Sequence, residues 1–187
     1  MTPHPKLPRA KRVLLLIDFI NPLDFPGAEK LAQPAVRAAR ATVRLRDRLD
    51  GSKVAVVYSN DNYGVWQSDF HSLVAQCIGR NDESGRISRM LSPRPTDITL
   101  LKPRHSAFFG SPLELLLDAM ETRELILAGL ATDICVLMTA ADAFLRNYRV
   151  IVPRDCTAAE TPRAKAEALR YMAGILKCEI VSSRDLR

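Results

Sequence analysis

Short apolar runs alternate with longer stretches of helical periodicity along the chain. RVLLLI (12–17) is continuously apolar, the pattern of a strand covered on both faces. AEKLAQPAVRAARATVRLRDRLD (28–50) carries its apolar residues at helical spacing and stops at Gly51. KVAVVYS (53–59) is β-branched and strand-like, and SDFHSLVAQCI (68–78) is helical with Ser68 as its cap. DITLL (97–101) is a third strand. SPLELLLDAME (111–121) is a helix with proline at its first position. Next come a strand at ELILA (124–128), a helix over 132–147, a strand at RVIV (149–152), a helix over 161–176 and a sixth strand at EIVS (179–182).

Six strands alternating with helices predict an α/β fold: a three-layer, doubly wound, mostly parallel sheet in one domain. No repeat, low-complexity segment or linker divides the chain. The domain is expected over 12–187, preceded by a flexible basic arm at 1–11. One connection stands apart. GRNDESGRISRMLSPRPT (79–96) is polar, rich in Gly, Ser and Pro, and long. It reads equally as a lid or binding loop and as a plain surface excursion.

Composition narrows the class. At 187 residues and 47% apolar, the chain can bury a sizeable core. No apolar run approaches the roughly 20 residues of a membrane span, and the basic, Pro-rich start lacks the apolar stretch of a signal peptide. Cys77, Cys135, Cys156 and Cys178 form no C-x-x-C pair and suit neither a zinc ribbon nor a disulfide framework. A reducing, cytoplasmic setting is expected. The net charge of +6 is scattered over helical stretches beside acidic residues, without interleaved aromatics. That pattern points to a solvated surface and away from nucleic-acid or membrane partners, although a positive field favours anionic substrates.

Ligands of open parallel sheets bind at the carboxyl ends of the strands. Asp18 follows the first strand, Asn60 and Asp61 the second, Lys102 the third, the Cys135 segment the fourth and Asp155 the fifth. A cap at Thr132 or Asp133 would put Cys135 in the first turn of a helix. Free N–H groups and the helix dipole there favour a thiolate and can hold an oxyanion. Pattern alone also fits Cys135 as a buried structural residue, which is the reading taken for Cys77, Cys156 and Cys178. Asp18 fits a turn, and Lys102 fits a surface lysine. Their shared edge raises the weight of each. In the order 3-2-1-4-5-6, Lys102 starts about 10 Å from the first strand and must reach inward.

Three segments carry a family resemblance. LLLIDFINPLDF resembles the first-strand motif of the isochorismatase-like cysteine hydrolases, which include nicotinamidases and N-carbamoylsarcosine amidase. LKPRHSAFFGSPLELLL resembles the family's K-x-x-x-S-A-F segment, and LILAGLATDICVLMTAADAF its G-[VL]-x-T-D-x-C-V-x-x-T-A-x-D-A signature. The match runs from about Val13 to the end. It implies the isochorismatase-like sheet order 3-2-1-4-5-6 and a catalytic triad of Asp18, Lys102 and Cys135. It also implies a cis peptide between Leu130 and Ala131, with the Ala131 and Cys135 N–H groups as the oxyanion hole.

The implied activity is hydrolysis of a C–N bond in a small amide, carbamoyl or ureido compound through a thioester. An ester or vinyl-ether hydrolase of the same fold, and a non-catalytic small-molecule binder, are the alternatives. No cofactor is expected. The family commonly forms homo-oligomers, so a dimer or tetramer is expected. Nicotinamidases hold a metal with an Asp and two His after the second strand. Here Asp61 is present, Tyr63 stands where the first His belongs, and His71 reads as a surface or packing residue, so no metal site is expected. Ile20 replaces a Gln of many relatives. Phe19, Tyr63, Trp66 and Phe108 are the candidate pocket residues, with ordinary packing as the competing reading.

Overall fold

The structure is a computed structural model that describes residues 6–186. Its sheet has the order β3-β2-β1-β4-β5-β7, all pairs parallel. The strands are β1 (Arg12–Ile17), β2 (Val54–Asp61), β3 (Ile98–Lys102), β4 (Glu124–Leu130), β5 (Arg149–Pro153) and β7 (Glu179–Val181). The predicted order holds, with β7 as the expected sixth strand. One strand is additional: the two-residue β6 (Thr157–Ala158) pairs with Gly129 and Leu130 of β4.

Alternation along β1 divides the core. Leu14 and Leu16 pack beneath α1 (Ala28–Arg48), α2 (Phe70–Ile78) and α3 (Glu83–Met90). Val13, Leu15 and Ile17 pack beneath α4 (Leu113–Ala119), α5 (Leu137–Leu145) and α6 (Pro162–Gly174). Both faces of the central strands are therefore covered, which explains their unbroken apolar runs.

Several local expectations are corrected. The 79–96 connection is not an open loop, because it contains α3, whose buried face is Ser84, Gly85, Ile87 and Ser88. Asp82 caps that helix by accepting from the Gly85 N–H at 3.1 Å. Asp69, not Ser68, caps α2, accepting from the Ser72 N–H at 2.9 Å. Pro112 precedes the first residue of α4. The flexible arm predicted for 1–11 falls partly outside the described residues, and its end is anchored. Ala10 is buried, its N–H donates to the Met120 carbonyl at 2.9 Å, and its carbonyl accepts from the Thr122 hydroxyl at 2.8 Å. The Lys11 carbonyl accepts from the N–H groups of both Arg123 and Glu124.

Among the described residues, no helix is long and apolar enough to cross a membrane.

Candidate active site

Asp18, the residue after β1, adopts φ 53°. Few residues with a side chain occupy that left-handed region, and those that do are frequently functional. The Asp18 N–H donates to the Ser59 carbonyl at 3.1 Å. Its Oδ1 accepts from the Asp61 N–H at 2.7 Å. Two strand ends thus fix one carboxylate.

Lys102 ends β3, with β2 between it and β1. Its side chain crosses the end of β2 and is 0% exposed. Nζ lies 2.8 Å from Asp18 Oδ2, 3.7 Å from Asp61 Oδ2 and 3.8 Å from Cys135 Sγ, and donates to the Arg104 carbonyl at 3.1 Å. The inward reach demanded by the strand order is therefore made.

Cys135 does not sit in the first turn of a capped α-helix. Thr132–Val136 is a single π-helical turn running into α5, and neither Thr132 nor Asp133 caps it. The Ala131 carbonyl accepts from the N–H groups of Ile134 and Val136, each at 3.1 Å. Turns of this kind recur at functional sites. The Leu130–Ala131 peptide bond just before it is cis. Upstream, Gly129 pairs with Ile17 so closely that a Cβ would stand 2.2 Å from the Ile17 carbonyl oxygen.

The electrostatics differ from the expected thiolate. Burial, and next the Asp18 charge, push the Cys135 thiol well above its ordinary value, against the pull of Lys102. The thiol is thus held protonated, and the Asp18 carboxylate is the acceptor that interacts with it. Burial also raises Asp18, although Lys102 and the hydrogen bonds of Cys135 and Asp61 oppose the rise. Burial works against the Lys102 charge, but Asp18, Cys135 and Asp61 outweigh it and leave Lys102 raised. The arrangement is a buried ion pair beside a neutral thiol.

The other three cysteines are buried and free. Burial pushes Cys156 up to about 12 and Cys178 up to about 11, and raises Cys77 as well.

The aromatic candidates separate. Phe19 (1% exposed) and Phe108 (4% exposed) belong to the core on opposite faces of the sheet. Phe108 packs on Tyr148 and beneath the Arg146 guanidinium, so core packing accounts for it. Trp66 is 76% exposed. Tyr63 lies at the site: its N–H donates to Asp61 Oδ1 at 2.6 Å, and burial with the charges of Asp18 and Asp61 raises its phenol.

Pattern reading passed over His105. Its Nδ1 lies 3.7 Å from Cys135 Sγ, at an exposed position three residues beyond Lys102. The only signal was its place inside the K-x-x-x-S-A-F segment.

A nicotinamidase-type metal does not fit these side chains. Asp61 is engaged by Tyr63 and Lys102, and His71 is exposed on α2. Among the described residues, no three His, Cys, Asp or Glu side chains are grouped to hold a metal ion.

Comparison with known proteins agrees with the fold. The family model of the isochorismatase domain matches residues 12–185. The uncharacterized isochorismatase family protein YaaI of Bacillus subtilis is 33% identical over 178 residues, 95% of this chain and 97% of YaaI. The ureidoacrylate amidohydrolase RutB of Cronobacter sakazakii is 44% identical over 80 residues, which cover 42% of this chain and 34% of RutB. The solved nicotinamidase/pyrazinamidase PncA of Bacillus subtilis superposes with a TM-score of 0.72 at 26% identity, covering 92% of this chain and 100% of PncA. The chain belongs to the isochorismatase family of hydrolases.

Proposed function

We propose that the protein hydrolyses the C–N bond of a small amide, carbamoyl or ureido compound through a thioester on Cys135. The observation that carries this reading is the Lys102 ammonium, 2.8 Å from Asp18 and 3.8 Å from Cys135, which gathers carboxylate, amine and thiol in one buried cluster. A neutral thiol is a weak nucleophile, so a base must take its proton during attack. Asp18 touches that proton, and its raised pKa makes it a stronger base than a solvated carboxylate.

In the first half-reaction the Cys135 proton passes to Asp18 as sulfur bonds to the carbonyl carbon. The Ala131 and Cys135 N–H groups hold the oxyanion. Collapse breaks the C–N bond, and Asp18 returns the proton to the departing nitrogen. In the second half-reaction water gives a proton to Asp18 as its oxygen attacks the thioester. Collapse breaks the C–S bond, releases the acid and restores the thiol. Lys102 keeps one positive charge beside both reacting groups throughout. Tyr63, facing Asp18 and Asp61, borders the substrate. RutB, a ureidoacrylate amidohydrolase, and PncA, a nicotinamidase, both act on C–N bonds by their names, which supports the substrate class.

The test is a screen of small amides, carbamates and ureides with Cys135→Ala as the blank. Turnover by the native chain and none by a folded Cys135→Ala variant is the expected result. Equal turnover by the variant would remove Cys135 from the reaction.

A further inference from the structure

A second cavity, of about 570 Å³, opens between α1, the turn after β5, the start of α6 and the C-terminal turn. Arg37, Arg44, Arg154, Lys165 and Arg184 all line it, and Asp155 is the one carboxylate in its wall. The five cations come from four separated segments. Arg37 and Arg44 lie seven residues apart, two turns along one face of α1. Between them Ala38 and Ala41 form a small apolar floor with Ala158 and Ala159.

Several cations elsewhere on the surface are neutralised by carboxylates. Arg94, Arg146 and Arg149 each hold two carboxylates. Among the described residues none of the five around this cavity forms an ion pair. Asp155 is turned to Ser183, accepting from its N–H at 2.7 Å and its hydroxyl at 2.6 Å. The Lys165 ammonium donates to the Thr157 carbonyl at 2.6 Å and keeps two donors free. Burial, followed by the nearby Arg37, lowers Lys165 in spite of Asp155 and Cys156. Thr157 is 1% exposed and lines the cavity, and its Oγ1 has no hydrogen-bond partner. Unpaired cations gathered in a concave wall concentrate positive potential. Guanidinium forks are suited to phosphate oxygens. The volume falls in the range of small-molecule sites.

We infer that this cavity binds a small, multiply charged phosphate anion. The site is distinct from the Asp18–Lys102–Cys135 cluster, none of whose residues line it. It is nonetheless joined to the strand that leads there, because Thr157 and Ala158 pair with Gly129 and Leu130. Its ligand therefore rests against β6, the strand paired with the segment preceding Ala131.

Titration calorimetry with inorganic pyrophosphate tests this directly, comparing the native chain with Arg154→Gln/Arg184→Gln. Both side chains are exposed, so the variant should retain its fold, which thermal unfolding checks. Pyrophosphate should bind the native chain, bind the variant about tenfold or more weakly, and weaken steeply as sodium chloride is raised. Absence of binding to the native chain, or equal binding to the folded variant, would overturn the inference. So would a single-stranded RNA oligonucleotide that displaces pyrophosphate, which would mark an open nucleic-acid surface instead.

Discussion

Lys102 spans the end of β2 to reach Asp18, and its burial makes it a sensitive position. Removing one partner of a buried ion pair leaves the other charge uncompensated. Lys102→Met should destabilise the chain by about 3–5 kcal/mol in denaturant unfolding, and Asp18→Asn added to it, which removes the charge but can still accept from the Asp61 N–H, should recover much of the loss. A double variant no more stable than Lys102→Met would show that the pair is not coupled. The protonated thiol gives a second prediction. With Cys135 raised above its ordinary 9.0, alkylation by iodoacetamide should be slow at neutral pH and still be accelerating beyond pH 9. A plateau below about pH 8 would mean a stabilised thiolate. Asp18 sets the acid limb of activity. As the base it must be ionised, and its pKa lies above 3.8, so kcat/KM should fall as pH drops through a midpoint above 3.8. A midpoint at or below that value would contradict a buried base.

At the scale of elements, the site depends on how closely β1 and β4 approach. Gly129→Ala would set a Cβ 2.2 Å from the Ile17 carbonyl at φ +153°, so it should cost well over 1 kcal/mol of stability. Unchanged unfolding would show that the two strands part freely at this point. The central strands were legible because they are buried on both faces and therefore continuously apolar. Helix α3 was not, because its inward face is Ser84, Gly85, Ile87 and Ser88, with one large apolar residue among small and polar ones. Hydrophobic periodicity has little to register in such a helix. The turn holding Cys135 was misread for another reason. Thr132 and Asp133 look like caps in sequence, but the chain instead forms a π-type hydrogen bond from the Val136 N–H to the Ala131 carbonyl.

Over the whole molecule, the alternation of runs predicted a parallel sheet with Asp18, Lys102 and the Cys135 segment along its carboxyl edge, whereas the strand order and the triad came with the family resemblance. Asp61 was on that edge and Tyr63 among the pocket candidates, but local pattern could not supply His105, because its distance to Cys135 arises from how a loop folds over the strand ends. Nor could it separate Phe19 and Phe108 from a pocket, since a buried aromatic looks the same in sequence at the core and at a site. The anchoring at the end of the expected arm was not legible either. Ala10 and Lys11 carry four backbone and hydroxyl bonds to residues 120–124.

The central claim is a covalent intermediate on Cys135, and acid-quenched intact-mass spectrometry during turnover of an amide substrate tests it most directly. The account predicts an added acyl mass, mapped to the peptide containing Cys135 and missing from Cys135→Ala. Sustained turnover with no adduct in the native chain, and undiminished turnover in Cys135→Ala, would contradict it.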